Sequence, residues 1–178
     1  MKLILLKNNS FFKLQLRLTA DKSDVFKAAD VLSYSIGIDA AQEEFIKLAN
    51  LNQRLIEEIN FLPSLNFSEI NNLVTSIYNN ESSSSTNFLS DFLNKNYNSL
   101  CLINIFKEFL MDESLRSQIS STRDLDFIKT TLKEITSKDN INNEILDLLN
   151  VERLQAGYAS IKNIEEVNNF LGLIKDLL

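Results

Sequence analysis

Residues 39–62 read DAAQEEFIKLANLNQRLIEEINFL, and this stretch decides the fold class. Ala41, Phe45, Leu48, Leu55, Ile59 and Leu62 recur three and four apart, which places them on one helical face. Ile46, Ala49 and Ile56 widen that stripe beyond a two-residue seam, the pattern of a helix facing a globular core. Asp39 and Gln42 have capping-box spacing at the start. Glu43 and Lys47 stand four apart in the favourable order, worth about 0.3 kcal/mol. Pro63 lacks an amide donor and ends the pattern near Phe61 or Leu62. One long helix over 39–62 is therefore expected. In a heptad frame with Phe45 at a, Asn52 takes the next a position, where a buried Asn fixes register at a cost in stability. The plainer reading places Asn52 at the edge of the stripe or against a loop.

Working outward, residues 22–35 predict a preceding helix with Val25, Ala28, Ala29, Leu32 and Ile36 inward and Gly37 at its end. The short link then makes these two helices neighbours. Beyond Pro63, Ser68 is a candidate cap for a helix reaching Tyr78. Phe88, Leu89, Phe92 and Leu93 mark another helix. Leu100–Met111 is apolar almost all round and belongs at a buried centre, where Asn104 needs a hydrogen-bond partner. A short turn around Leu115 follows. Leu125, Ile128, Leu132 and Ile135 form a narrow stripe matching that of 39–62, so these two segments are expected to pack together. Ile141, Ile145, Leu148 and Leu149 mark a helix ending near Gly157. Asn163 and Glu166 have capping spacing before the last helix, whose apolar face is Ile164, Val167, Phe170, Leu171, Ile174, Leu177 and Leu178. Gly172 costs that helix about 1 kcal/mol against alanine and suggests a close helix contact.

The N-terminus departs from helical periodicity. Phe12, Leu14, Leu16 and Leu18 alternate with Lys13, Gln15, Arg17 and Thr19, and Lys7–Ser10 offers a polar turn. This predicts a β-hairpin over 2–19 whose apolar face lies on the helices. At the other extreme of order, the serine run in 79–87 reads as an exposed loop. The expected fold is mainly α: a single multi-helix bundle of about seven or eight helices spanning 1–178, with a short N-terminal β-hairpin.

The chain has 178 residues, 44% hydrophobic and 24% charged, with three glycines and one proline. These values suit one helical domain and disfavour a turn-rich β fold. The net charge is −6, and the acidity lies in the C-terminal half: 8 basic and 9 acidic residues precede Asn80, 10 and 15 follow from it. That balance opposes the basic footprint of phosphate binding, so a nucleic-acid partner is not expected. Cys101 stands alone in an apolar run and reads as a buried small hydrophobe in a reducing compartment. The N-terminal apolar run is too short for a signal peptide and no window reaches a membrane span, so the cytoplasm is the expected location. Leaderless export would leave the same signature.

Chemistry is chiefly conspicuous by what is missing. The chain has no histidine, which removes the commonest general base, Ser-His and Cys-His nucleophiles and most zinc sites. There is no Walker loop and no GxGxxG. Adjacent carboxylates such as Glu43-Glu44, Glu57-Glu58 and Glu165-Glu166 point about 100° apart on a helix and read as solvated faces. No catalytic, cofactor or metal residue is assigned, and the protein is not expected to be an enzyme. The leading expectation is a non-enzymatic interaction protein, an adaptor, regulator or accessory subunit, whose partner is another protein or a second copy. Its candidate contacts are the hairpin residues Phe12, Leu14, Leu16 and Leu18, then Asn52, then Ile164, Val167, Phe170, Leu171 and Ile174 of the last helix. The alternatives are a carboxylate-based metal-binding, ligand-binding or catalytic domain, and a DNA-binding regulator across Phe127–Leu149.

Overall fold

A computed structural model describes residues 1–79, 85–119 and 122–178. The protein is mainly helical: eleven α-helices lie among the described residues, and no strand does. After a 3-10 turn at Leu6–Asn8 come α1 (Ser10–Lys13), α2 (Lys22–Ile36), α3 (Ile38–Ala49), α4 (Leu51–Ile59) and α5 (Phe67–Tyr78). Then follow α6 (Ser85–Asn94), α7 (Ser99–Met111), α8 (Glu113–Gln118), α9 (Thr122–Thr136), α10 (Ile141–Gln155) and α11 (Glu165–Asp176). Of the expected loop over 79–87, Asn79 ends α5 and 85–87 belong to α6, while 80–84 lie outside the described residues.

The apolar segment Leu100–Met111 is the centre. Asn98 caps α7 by accepting from the Cys101 amide, and nearly every residue of the helix is buried. Phe106 meets Phe127 of α9 edge-on, and α7 also packs on α8 and α10. Buried apolar residues from Leu6 to Ile174 join in one cluster with it. Asn104 finds its expected partners on α4's exit: its Nδ2 donates to the carbonyls of Ile59 and Phe61 at 2.9 and 2.8 Å. The Cys101 thiol is buried, and that burial pushes its pKa up to about 12. α5 follows its pattern, with Ile70, Leu73, Val74 and Ile77 inward; its cap is Asn66, boxed with Glu69, and not Ser68.

The long helix over 39–62 is two helices. Asn50 breaks it: its backbone is extended and its side chain accepts from the amides of Asn52 and Gln53, capping α4. A side chain that satisfies orphan amides locally competes with helix continuation, and here it wins. The start also differs, because α3 begins at Ile38 after Gly37, without the Asp39–Gln42 box. Gly37 has φ of 93°, a conformation that favours glycine, and joins α2 to α3 as a tight helical hairpin. The partner expected for this stretch was the helix over Leu125–Ile135, yet α9 packs chiefly on α7, α6 and α11. Matching stripes specify burial and not which buried surface is met.

The β-hairpin does not form. Leu14 and Leu18 are buried as an alternating strand would have them, but the backbone turns through α1 and through Gln15 at φ 57°. The alternation expected to set a ladder instead seats an irregular segment between the helices. Among the described residues no helix is long and apolar enough to cross a membrane.

Candidate functional site

Two places in the molecule break the rule that polar groups face water and apolar ones face the core. The first is the seat of the N-terminal segment. A chain without a ladder must satisfy its backbone otherwise, and here side chains of α4 and α7 do so. The Asn60 side chain accepts from the Ile4 amide at 2.9 Å, Glu108 Oε1 from Leu6 at 2.9 Å, and Glu57 Oε2 from Ser10 at 2.8 Å. In the other direction, Lys107 Nζ donates to the Ile4 carbonyl at 2.7 Å and to Asn60 Oδ1 at 2.8 Å. Arg54 donates to the carbonyls of Leu18 and Ala20 at 3.1 and 2.9 Å.

Arg54 is fully buried and held from several sides. Its Nε pairs with Glu58 at 2.7 Å, four residues on, and its guanidinium lies over the rings of Tyr158 and Phe11. Glu58 also receives Arg153 of α10 at 2.5 Å. One carboxylate thus serves two arginines, while the Tyr158 hydroxyl accepts from Arg54 and backbone carbonyls accept from both, Ala159 from Arg153 among them. Further out, Glu44 of α3 accepts from Ser10 Oγ and pairs with Lys13. Burial alone would raise the Glu44 pKa, but these partners outweigh it and hold it below the usual carboxylate range.

Titration in this seat follows from desolvation. Burial lowers the Lys107 ammonium to about 7, against the upward pull of Glu108 and Glu57. A neutral amine has two hydrogens, and Lys107 has two acceptors, so the neutral form satisfies both bonds. Burial raises Glu57 and Glu108 in the same way. Tyr78, hydrogen-bonded to Glu108 at 2.8 Å, is also raised, by its own burial and that carboxylate. The charged side chains here are engaged by the protein itself, with Thr19 Oγ1 and Asn104 Oδ1 the buried polar atoms left without a partner among the described residues, so the arrangement holds a chain segment. Among the described residues no group of three or more His, Cys, Asp or Glu is placed to hold a metal ion.

The second place is the outer face of the α2–α3 hairpin. Six of the eleven large apolar residues exposed among the described residues lie in 22–49, which marks this hairpin out from the rest of the surface. Between the two helices runs an open groove of about 610 Å³. Ala29 and Ala41 form its floor, and Phe26, Tyr34, Ile38 and Phe45 rise as its walls. Tyr34 is 86% exposed, Ile38 73% and Phe26 64%. Phe26 stands edge-on to Phe45 with centroids 6.0 Å apart, which fixes one end of the groove. Among the described residues Asp30 is the one carboxylate in the lining, and no lysine or arginine lines it.

The sequence-derived candidates fall elsewhere. Leu14 and Leu18 are buried, Phe12 and Leu16 half-buried against the core. With no strand among the described residues, the N-terminal segment offers no hairpin surface to a partner. Asn52 is exposed in the first turn of α4 and does not enter the core. Val167, Phe170, Leu171 and Ile174 are buried under α11, docked on the chain's own core, while Ile164 is half-buried at its start. The α2–α3 face is not among the sequence-derived candidates. Its signal was Phe26 and Tyr34, eight apart with Asp30 between them, off the stripe of Val25, Ala29 and Leu32. Comparison with known proteins gives no match, whether to a family model, a curated protein or a solved structure.

Proposed function

We propose that this is a non-catalytic interaction protein, an adaptor, regulator or accessory subunit of the cytoplasm, that works by docking another protein on the α2–α3 face. The observation that supports it is the concentration of exposed large side chains, Phe26, Tyr34 and Ile38, around an alanine-floored groove. A contiguous apolar patch on a folded surface loses free energy to water until something covers it, and such patches mark interaction sites. Each well-buried aromatic or aliphatic anchor contributes about 1.5–3 kcal/mol, so three anchors offset much of the cost of association. The buried ionic groups have a different role in this reading. They fix the N-terminal segment, and through α3 and α4 they fix the hairpin that presents the groove.

The test is co-purification from native lysate with the chain and with a Tyr34→Ser/Ile38→Ser double variant. The reading expects a defined partner with the first and its loss with the second, at unchanged circular dichroism. Recovery of the same proteins by both, or of none by a chain that light scattering shows to be monomeric, would contradict it.

A further inference from the structure

We infer that the α2–α3 groove takes one amphipathic helix of a different protein, carrying a lysine or arginine on the edge of its apolar face where it meets Asp30. This rests on the docking reading above and adds the partner's chemistry. Three features support it. The walls run from Phe26 to Tyr34, eight residues of α2 or about 12 Å along the axis, a length matched by two turns of a helix. The floor is alanine on both sides, at the buried Ala29 and Ala41, so no bulky side chain rises between the walls and a third helix can settle into the groove. The anchors it presents would fall at i, i+3 or i+4, and i+7.

Charge decides between partners. Asp30 stands on the wall midway between Phe26 and Tyr34, and it has no salt bridge within the described residues. A docked helix removes water from that carboxylate, so it must bring a cation or leave a charge unpaired. A second copy fits poorly, because two-fold docking of this face on itself sets the two Asp30 carboxylates in one slot. An anionic lipid surface is opposed by the same carboxylate and by the net charge of −6. An extended strand has no ladder to join, since no strand edge occurs among the described residues.

The probes are synthetic 18-residue peptides: a Leu/Lys helix with leucines on one face, its Leu/Glu counterpart, and a scrambled Leu/Lys peptide. Binding to the full chain is followed by fluorescence anisotropy at physiological salt. The proposal expects the Leu/Lys helix to bind about tenfold tighter than the other two. Ile38→Ser should weaken it by about tenfold at unchanged circular dichroism, and Asp30→Lys should reverse the preference toward Leu/Glu. Equal binding of Leu/Lys and Leu/Glu, both weakened by Ile38→Ser, overturns the basic partner and leaves the docking reading standing. Binding of no helix, with a monomer by sedimentation, overturns both. Self-association dissolved by Ile38→Ser, or adsorption to phosphatidylcholine vesicles lost in that variant, overturns the helix in favour of a second copy or a membrane surface.

Discussion

The seat of the N-terminal segment and the face of the α2–α3 hairpin are opposites. In the first, ionisable side chains lie inside: Arg54, Glu58, Lys107 and Glu108 are buried yet hydrogen-bonded. In the second, apolar side chains lie outside: Phe26, Tyr34 and Ile38 are exposed over a groove. Each inversion is costly in isolation. The buried charges recover much of the cost by satisfying a backbone that has no ladder of its own, so their return comes within the chain. The exposed apolar groups recover little within the chain beyond the Phe26–Phe45 ring contact, and in the proposed reading the rest comes from a partner. Inverted polarity therefore has two readings here: where the partners are internal it is a device of the fold, and where they are missing it marks the face we propose as a docking surface.

That contrast can be broken from either side, beginning with the buried charges. Arg54→Ala removes the bonds to Leu18, Ala20 and Glu58 at once. It should destabilise the protein by about 4 kcal/mol, the cost of breaking a buried ionic network, read as a fall in the urea midpoint. Lys107→Met leaves the Ile4 carbonyl without its donor and should cost about 2 kcal/mol at pH 10. The cost should be smaller at pH 7, and the sign follows from proton linkage. Lys107 has its folded pKa lowered to about 7 from 10.5, so between those values the unfolded chain binds the extra proton and folding gains stability as pH rises. Glu108 and Glu57 face the same amine and, being raised, lose stability as pH rises through their own lower range. A stability difference between wild type and Lys107→Met that is flat from pH 7 to 10 would remove this account of the amine.

Smaller effects test the outer surface. Gly172 is exposed in α11, and a Cβ built on it meets nothing within 4 Å, so no close helix contact explains it. Gly172→Ala should stabilise by up to about 1 kcal/mol, visible as a higher melting temperature. Ile38→Ser should change stability by less than about 0.5 kcal/mol, as for an exposed side chain, while weakening helix binding about tenfold. A large loss of stability there would mean that the face belongs to the core.

Much of the helical architecture was legible in local signals. The Gly37 break, the inward face of α5 and the central place of Leu100–Met111 each follow from a few neighbouring residues, whereas on α2 Val25 and Ala29 turn inward but Ile36, expected with them, is exposed. Asn50 was also readable, since Asn followed three residues later by Gln53 is a cap spacing, but the apolar stripe running across it dominated. The N-terminal segment was not readable. An alternating run suits a half-buried strand and an irregular seated chain equally, and what chose between them is non-local. Glu57 lies 47 residues from Ser10, and Glu108 lies 102 from Leu6. The clue was present only as a misfit: Arg54, Glu57, Lys107 and Glu108 fall on buried faces of their helices, where unpaired charges do not belong. The outer face of α2–α3 was hidden for a simpler reason, because single exposed apolar residues are ordinary and only their convergence around Ala29 and Ala41 makes a groove.

The most direct test of the central claim is amide hydrogen exchange, resolved by segment. If side chains of α4 and α7 hold the N-terminal backbone as a ladder would, residues 3–18 exchange as slowly as α7, and the amides of Leu6 and Ser10 open only on global unfolding. The outer helix α2, which packs chiefly on α3, exchanges sooner. Exchange of residues 3–18 at the rate of a free loop, with α2 as protected as α7, would contradict the account.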